Sequence, residues 1–390
     1  MIKLNQDLEN ISDNNSFLAV SKIVLEYKNN NPNKKILSLG VGDVSKAVVK
    51  PVIEAMHKAV DDLASMDTFK GYGPKSGYSF LKKKILDNDY YKFDFTMDEL
   101  YISNGTKTDI TSILELFSED AKIAVTNPLY PIYLDGAKTL NRECYNLLTD
   151  DNFMPIIPKE KYDVIYLCSP NNPTGIAYNN TYLSSWVKYA KDNNAVILYD
   201  NVYNAFITSK DVPKSIYEIP DAKKVAIEFR SFSKNASFTG VRCSYYVIPN
   251  MIANNINKLW QKRLTNRFNG VSYIAQKGAM AVYTKEAKKA IRKNIAYYQK
   301  NANYLKKHLL KLNFNLVGGT DSPYLWVKIK DDISSWDYFT FLLNELNIVV
   351  IPGIVFGSLG DKYFRISALA KKEVIKKAVE RLEEYYDKKK

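Results

Sequence analysis

Lys234 lies in a short segment whose residue types suit a phosphate-bearing aldehyde. Ser231 and Ser233 precede it, and Arg242 follows eight residues later. A lysine amine can form a Schiff base with an aldehyde, while hydroxyls and a guanidinium hold a phosphate through charge-assisted hydrogen bonds. Most lysines of a lysine-rich chain are surface residues, so the spacing of the whole group, and not the lysine alone, predicts a catalytic site.

A second cluster of candidate residues follows strand-like runs. Gly105, Thr106 and Lys107 stand between a predicted strand and a predicted helix, where backbone amides point at an anion. The segment is not a P-loop, because the G-x-x-x-x-G-K pattern is absent. Asp200 ends another strand-like run, and such an aspartate is by itself more often a helix cap than a catalytic group. Its interpretation therefore depends on its neighbours.

The elements that would position these residues alternate between strand and helix patterns. Short β-branched runs are typical of buried parallel strands, and they cover residues 100–102, 123–125, 164–168, 196–199 and 245–248. Turn residues follow most of them, and ligands gather at such carboxyl-end loops of open α/β sheets. The pattern predicts an α/β fold with a largely parallel sheet.

The composition and the predicted secondary structure of the chain change near residue 285. A Lys- and Tyr-rich helical region over 285–312 leads to a short strand near 324–327 and a final helix over 371–386. We therefore predict three parts, namely an N-terminal arm with part of a small domain (1–45), a large domain (46–284) and a C-terminal small α+β domain (285–390).

Composition narrows the class of protein. The net charge of +13 over 390 residues invites a nucleic-acid interpretation, but the lysines are spread along amphipathic helices, which favours a solvated surface. No run is long enough to span a membrane, and no export signal is recognised at the start. Three scattered cysteines predict neither a disulfide framework nor a metal site. We expect a cytoplasmic enzyme that binds neither nucleic acid nor membrane.

The lysine segment resembles the S-x-S-K-(x7)-R motif of class I and II aminotransferases, and residues 169–175 resemble that family's N-P-T-G turn. The resemblance implies a fold-type I, aspartate-aminotransferase-like α/β architecture and pyridoxal 5'-phosphate as cofactor. It assigns the Schiff-base amine to Lys234, the partner of the pyridine nitrogen to Asp200, and hydrogen bonds to the phenolic oxygen to Asn172 and Tyr203. A protonated pyridine ring acts as an electron sink.

The same resemblance assigns the remaining ligands. It places Tyr130 against the cofactor ring and Arg365 on the substrate carboxylate, which arginine can grip with two parallel hydrogen bonds. The predicted catalytic residues are Lys234, Asp200 and Tyr203. The predicted cofactor ligands are Gly105, Thr106, Lys107, Tyr130, Asn172, Asp200, Tyr203, Ser231, Ser233, Lys234, Arg242 and Tyr72.

Segments 38–43, 71–74 and 267–273 narrow the resemblance to LL-diaminopimelate aminotransferases. It implies transfer of an amino group between LL-diaminopimelate and 2-oxoglutarate, on the route to lysine. It also implies a homodimer with shared active sites, in which the mate contributes Tyr72 and Asn269. The predicted substrate-binding residues are Gly42, Lys107, Tyr130, Asn172, Arg365, Phe17, Lys75 and Asn269.

Three positions depart from that family's pattern. Lys75 replaces a loop glutamate that recognises the distal ammonium, Phe17 replaces a tyrosine, and Lys46 replaces a second glutamate. Two like charges about 4 Å apart repel by roughly 1 to 4 kcal/mol. One hypothesis is that the distal-ammonium site is lost, so that Lys107 and Lys75 favour a substrate with an anionic or neutral far end. The other is that Lys75 points to solvent and the substrate is retained.

Other functions on the same fold stay open. The fold hosts several reactions at one cofactor, so a lyase or an amino-acid oxidase is an alternative to a transaminase. A non-catalytic descendant would lack the Schiff-base lysine or the ring aspartate, and both Lys234 and Asp200 are present. A DNA-binding regulator would need a further domain, and about 35 residues before the first strand are too few for one. These observations favour amino-group transfer.

Overall fold

A computed structural model describes residues 2–3 and 16–388 of the chain. Residues 1 and 4–15 of the predicted N-terminal arm lie outside the described residues, as do 389–390. In the described ranges, no helix is both long and apolar enough to cross a lipid bilayer.

A seven-stranded sheet organises the larger part of the chain. Its strands are β2 (Leu100–Ser103), β3 (Ile123–Val125), β4 (Cys144–Asn146), β5 (Val164–Cys168), β6 (Val196–Asp200), β7 (Ala226–Ser231) and β8 (Ser244–Val247). Their order in space is β2-β8-β7-β6-β5-β3-β4. Only β8 runs against its described neighbours, β2 and β7. The predicted, mostly parallel central sheet is therefore confirmed.

Helices pack on both faces of this sheet. They are α2 (Lys50–Asp61), α3 (Ser79–Asp89), α4 (Thr106–Ser112), α5 (Ile132–Lys138), α6 (Asn180–Asn193), α7 (Phe232–Asn235), α8 (Ile256–Arg267) and α9 (Tyr273–Ala281). The N-terminal helix α1 (Phe17–Asn30) packs instead against the second core described below. Alternate strand residues enter separate cores: Ile165 and Leu167 pack on one face, Tyr166 and Cys168 on the other. This two-residue period explains why the buried strands read as continuous apolar runs.

Strand β7 was not among the predicted strands because two charges interrupt its apolar pattern. Glu228 and Arg230 are nevertheless buried, and their side chains form an ion pair of 2.9 Å. Glu228 also accepts hydrogen bonds from the hydroxyl of Tyr90 at 2.6 Å and the amide of Asn201 at 2.9 Å. Buried charges are tolerated when they are paired and hydrogen-bonded in this way.

The remaining elements form a second core around an antiparallel sheet. They are α10 (Lys285–Lys311), β9 (Leu316–Gly318), β10 (Tyr324–Lys328), α11 (Ser335–Leu346), β11 (Ile348–Val349), β12 (Ile351–Pro352), β13 (Tyr363–Ser367) and α12 (Lys372–Asp387). The order of the antiparallel sheet is β12-β13-β10-β9. The short strand β1 (Leu37–Ser38) pairs in parallel with β11. The boundaries predicted at 45/46 and 284/285 stay predictions.

One carboxylate joins the two parts of the chain. Asp321, which precedes β10, accepts hydrogen bonds from the backbone amides and hydroxyls of both Thr208 and Ser209, at 2.6 to 3.0 Å. Burial raises the pKa of Asp321, but these hydrogen bonds together lower it by more, so that the pKa lies below its ordinary value. The contact fixes the edge of the antiparallel sheet against the loop that follows β6.

Candidate active site

The candidate site is a pocket of about 430 Å³ at the carboxyl edge of the central sheet, where β13 and β10 of the second sheet face it. The carboxyl ends of parallel strands meet at one edge, which brings residues distant in sequence together. The pocket is lined by Phe17, Gly42, Asp43, Thr106, Lys107, Ile110, Tyr130, Asn172, Asp200, Val202, Tyr203, Ser231, Ser233, Lys234, Thr239, Arg242, Tyr324 and Arg365.

Lys234 reaches this pocket from α7, directly after β7. The hydroxyl of Ser231 caps α7 by accepting a hydrogen bond of 3.1 Å from the Ser233 amide. The ammonium of Lys234 donates to the carbonyl oxygen of Gly42, which belongs to the loop after β1. The amine is therefore held at the junction of the two parts of the chain, pointing into the pocket.

Asp200 is the buried carboxylate of the site. It ends β6 and accepts a hydrogen bond of 2.6 Å from the Tyr133 hydroxyl and one of 3.3 Å from the Val202 amide. Burial raises its pKa from 3.8 to about 6, although both hydrogen bonds act in the opposite direction. The ring of Tyr133 is in turn stacked on Tyr166, with centroids 4.7 Å apart. Asp200 therefore has a fixed orientation and is poised to pair with a cation.

Polar side chains of the pocket lining lie beside Arg365. The hydroxyls of Tyr203 and Tyr324 lie 2.9 Å apart, and burial raises the pKa of Tyr203 well above its ordinary value. Asn172 is buried beside them, and its side-chain oxygen accepts a hydrogen bond of 2.6 Å from Arg365. Neutral hydroxyls and an amide at this position can donate to an anionic or phenolic oxygen of a ligand.

Arg365 is buried on β13 with part of its donor capacity unused. One terminal nitrogen donates to Asn172 and the other to the carbonyl of Gly40 at 2.8 Å. Its Nε is buried without a hydrogen-bond partner in the described part of the chain. The guanidinium lies 4.3 Å from the ring centre of Tyr324 and 5.7 Å from that of Phe17. Because a buried guanidinium needs a counter-charge, this arrangement suits a carboxylate ligand.

Donors for an anion also line the pocket. Hydroxyls of Thr106, Ser231 and Ser233 line it together with Arg242 and Lys107. Gly105 lies beside this cluster with φ of 140°, and a Cβ atom there would lie 2.0 Å from Arg242 Nη2. Glycine is therefore required for Arg242 to approach this turn. The donor set, two cations and three hydroxyls, fits a phosphate.

Three of the predicted residues do not reach the pocket of their own chain. Tyr72 is 93% exposed, and Asn269 is also exposed. Lys75 donates a hydrogen bond of 2.7 Å to the carbonyl of Thr265 and lines a different cavity. Lys46, the third departure, lies 3.8 Å from the ring centre of Tyr297, outside the pocket. Lys75 thus does not contact the pocket of its own chain.

Other residues that line the pocket or contact its lining were missed from the sequence. Tyr324 lies on β10 opposite Ser367, and its position depends on the pairing of strands that are far apart along the chain. Tyr133, on α5, contacts Asp200 through its hydroxyl and Tyr130 through its ring, with ring centroids 5.9 Å apart, and both contacts depend on the folded chain. Asp43 follows Gly42 directly in the loop after β1. The pocket as a whole combines an amine, a buried carboxylate and a buried guanidinium.

Comparison with known proteins agrees with this geometry. Residues 34–382 match the family model described as aminotransferase class I and II. The LL-diaminopimelate aminotransferase of Prochlorococcus marinus (strain NATL2A) is 41% identical, covering 98% of this chain and 99% of that protein. The one from Methanosphaera stadtmanae is 42% identical, covering 98% of each.

A solved structure shows the same architecture. The L,L-diaminopimelate aminotransferase of Chlamydomonas reinhardtii superposes with a TM-score of 0.93 at 34% identity and covers 99% of both chains. The aspartate-aminotransferase-like fold predicted from the sequence is therefore confirmed. The matched sequence, the shared fold and the gathered amine, carboxylate and guanidinium lead to one conclusion. The chain belongs to the aminotransferase class I and II family and is a transaminase.

Proposed function

We propose that this aminotransferase uses pyridoxal 5'-phosphate and transfers an amino group between LL-diaminopimelate and 2-oxoglutarate. The convergence of Lys234, Asp200 and Arg365 on one pocket is the observation that carries the reaction class. The substrate is taken from the printed names of relatives that are 41% to 42% identical over nearly the whole chain. Lys75 lies at the Thr265 carbonyl, outside the pocket of its own chain, so within one chain it does not oppose that substrate.

The donor set of the pocket fits the proposed cofactor. Ser231, Ser233 and Arg242, with Gly105 leaving space beside them, would hold its phosphate. In the same pocket, Asp200 would pair with the ring nitrogen and Lys234 would link to the aldehyde. When bound, pyridoxal phosphate supplies an aldehyde that links to amines and a ring that withdraws electrons from the α-carbon.

Each side chain then has a defined task. Arg365 binds the α-carboxylate of the amino acid and so fixes the direction of its α-carbon–hydrogen bond. Lys234 Nζ is the general base that takes the proton from this α-carbon. Asp200 stays ionised beside a cation, because a neighbouring positive charge lowers the pKa of a carboxyl group. Asn172 and Tyr203 donate hydrogen bonds to the cofactor's phenolic oxygen.

The proposed enzyme is a homodimer with shared active sites. The loops that carry Tyr72 and Asn269 lie side by side, since a Cβ atom on Gly270 would be 3.0 Å from the carbonyl of Pro74. Both side chains are exposed and lie outside the pocket of their own chain. Exposed neighbouring loops of this kind are available to complete the site of a second copy, as a two-fold interface would require.

A complementation experiment tests the shared site. Lys234→Ala and Tyr72→Ala chains are each prepared alone and then as coexpressed mixtures. A mixed dimer holds one site with both native residues, so about a quarter of the wild-type activity is expected from the mixture. Activity that stays at the level of the separate variants, with mixed dimers verified by mass spectrometry, contradicts a shared site.

The substrate is tested by the half-reaction. Cofactor-loaded protein is mixed with one amino acid at a time, and its visible absorbance is followed. LL-diaminopimelate and glutamate are expected to convert the cofactor to its amino form, with aspartate and phenylalanine as comparison substrates. If aspartate or phenylalanine converts the cofactor and LL-diaminopimelate does not, the proposed substrate is wrong. If the protein consumes oxygen or removes a substrate side chain, the proposed amino-group transfer is wrong.

A further inference from the structure

Asp43 lines the same pocket as Arg365 and Lys234, but no task in the proposed function uses it. Of the described residues that line this pocket, Asp43 and Asp200 carry carboxylates. Asp200 is buried and held by Tyr133. Asp43 is exposed at the rim, so it is the carboxylate that an incoming substrate can reach.

The backbone places Asp43 next to the position of the substrate. A Cβ atom on the preceding Gly42 would lie 2.7 Å from the hydroxyl of Tyr324 and 3.9 Å from Arg365 Nη2. The Gly42 carbonyl accepts a hydrogen bond from Lys234. Consecutive Cα atoms are about 3.8 Å apart. Asp43 therefore directly follows a residue that contacts the Lys234 amine and lies beside the Arg365 guanidinium.

One carboxylate oxygen of Asp43 is hydrogen-bonded within the loop, and the other is available to a ligand. Oδ1 of Asp43 accepts a hydrogen bond of 2.7 Å from the Val44 amide, which fixes the side chain. Among the residues that the structure describes, no cation lies within ion-pair distance of Asp43 and no donor contacts Oδ2. An oriented carboxylate without a counter-ion at the rim of a pocket suits an ammonium group.

The other charged groups around the pocket favour this assignment. Lys107, Arg242 and Arg365 are cations and suit the anionic groups of cofactor and substrate. Lys75, which stands where the resembling family has its ammonium-binding glutamate, is held by the Thr265 carbonyl instead. Among the described residues that line the pocket, the carboxylate open to a second ammonium group is therefore Asp43.

We propose that Asp43 binds the distal ammonium of a diamino dicarboxylic substrate and so determines the selectivity of this enzyme for such substrates. The inference rests on the proposed function, because it deepens the substrate class of the same site. A hydrogen bond to a charged group is worth enough to change selectivity roughly 10- to 100-fold.

Two substrates that differ only in the distal amino group give the sharpest test. The kcat/KM values of LL-2,6-diaminopimelate and L-2-aminopimelate are measured for wild type, Asp43→Asn and Asp43→Glu. We expect Asp43→Asn to reduce the preference for the diamino substrate roughly 10- to 100-fold. The loss should appear mainly in KM, with L-2-aminopimelate turned over as before. Asp43→Glu, which keeps the charge, should restore part of the preference.

Asp331→Asn is the matched control, since it removes one exposed carboxylate away from the pocket. If the preference for the diamino substrate is unchanged in Asp43→Asn, the proposed role of Asp43 is wrong. An equal loss of kcat/KM for both substrates also contradicts it, because such a loss indicates a general effect on the loop. These outcomes differ from failure of the proposed function itself. In that case the wild-type enzyme would not turn over LL-2,6-diaminopimelate, although other amino acids are accepted.

Discussion

The hydroxyl of Tyr133 donates a hydrogen bond of 2.6 Å to the carboxylate of Asp200, and both side chains are buried. Tyr133 is on α5 and Asp200 ends β6, so the contact ties a helix to the sheet edge that carries the active site. The environment of Asp200 favours its neutral form overall, whereas this hydrogen bond favours the ionised form. Burial and the Tyr133 hydrogen bond thus act on the pKa of Asp200 in opposite directions, and each effect can be tested by a substitution.

The first prediction concerns the stability of the cofactor-free protein. Because the pKa of Asp200 rises from 3.8 to about 6, its protonation stabilises the fold below pH 3.8, and this contribution is lost as the pH rises through 6. Asp200→Asn should therefore be more stable than wild type at neutral pH, by at most about 3 kcal/mol. Urea unfolding between pH 4 and pH 8 measures it. A difference that does not grow across this range contradicts the assignment.

The second prediction separates the Tyr133 hydroxyl from its ring. Tyr133→Phe removes the hydrogen bond that favours the ionised carboxylate, so the acid limb of the kcat/KM profile should move up by roughly one pH unit or more. Tyr166→Phe is the matched control, because its hydroxyl donates to the Ile110 carbonyl and not to Asp200. Equal profiles for both variants would show that Tyr133 acts only through packing.

The third prediction tests the proposed link between Lys234 and the cofactor. Lys234→Ala should lose the visible absorbance of that link and all measurable transamination, because the variant has no amine at the Gly42 carbonyl. Pyridoxal phosphate should leave the variant on dialysis. Lys293→Ala, an exposed lysine on α10, should behave as wild type. A native spectrum and full activity in Lys234→Ala would refute the assignment.

The fourth prediction compares a glycine with no space for a side chain, Gly105, with one in open space, Gly240. At Gly105 a Cβ atom would meet Arg242 at 2.0 Å on a backbone with φ of 140°, whereas at Gly240 nothing lies within 4 Å. Gly105→Ala should weaken cofactor affinity about tenfold or more, because Arg242 must move away from the phosphate position. Gly240→Ala should retain wild-type affinity. Equilibrium titration with pyridoxal phosphate tests both, and equal affinities would exclude this role for Gly105.

The fifth prediction concerns the contact between Asp321 and residues 208–209. Asp321→Asn replaces one acceptor oxygen by a donor, so the unfolding free energy should fall by about 1 to 3 kcal/mol at neutral pH. Since the pKa of Asp321 lies below its ordinary value of 3.8, the difference should be complete above pH 3.8 and fade as the pH falls below it. Denaturant unfolding at pH 3 and pH 7 measures the difference, and a constant difference argues against an ionic contribution.

The sequence was sufficient where pattern and chemistry were local. The buried strands 123–125 and 164–168 were predicted with their observed bounds, because period and β-branched content identify them. Lys234 and Arg242 were recognised from their spacing within one segment. β7 was not, because the pairing of Glu228 with Arg230 that allows burial of both charges is a property of the folded protein.

The rim of the pocket was harder to predict. Resemblance assigned Lys75 to the substrate site, and this assignment stays a prediction, because in its own chain the side chain contacts the Thr265 carbonyl on α8. Tyr133 and Asp43 were overlooked since their roles depend on which elements pack together. The direction of a loop side chain is set by tertiary contacts, and motif spacing does not encode it.

The pairing of β1 with β11 determines when the N-terminal segment can fold during synthesis. Leu37 lies opposite Ile348 and Ser38 opposite Val349. Because a ribosome adds roughly 5 to 20 residues per second, the roughly 300 residues between these strands take tens of seconds to synthesise. During that time the apolar face of α1 has no strand β11 and no second core to cover it. The early segment of the nascent chain must therefore wait, exposed or chaperoned, for the end of translation.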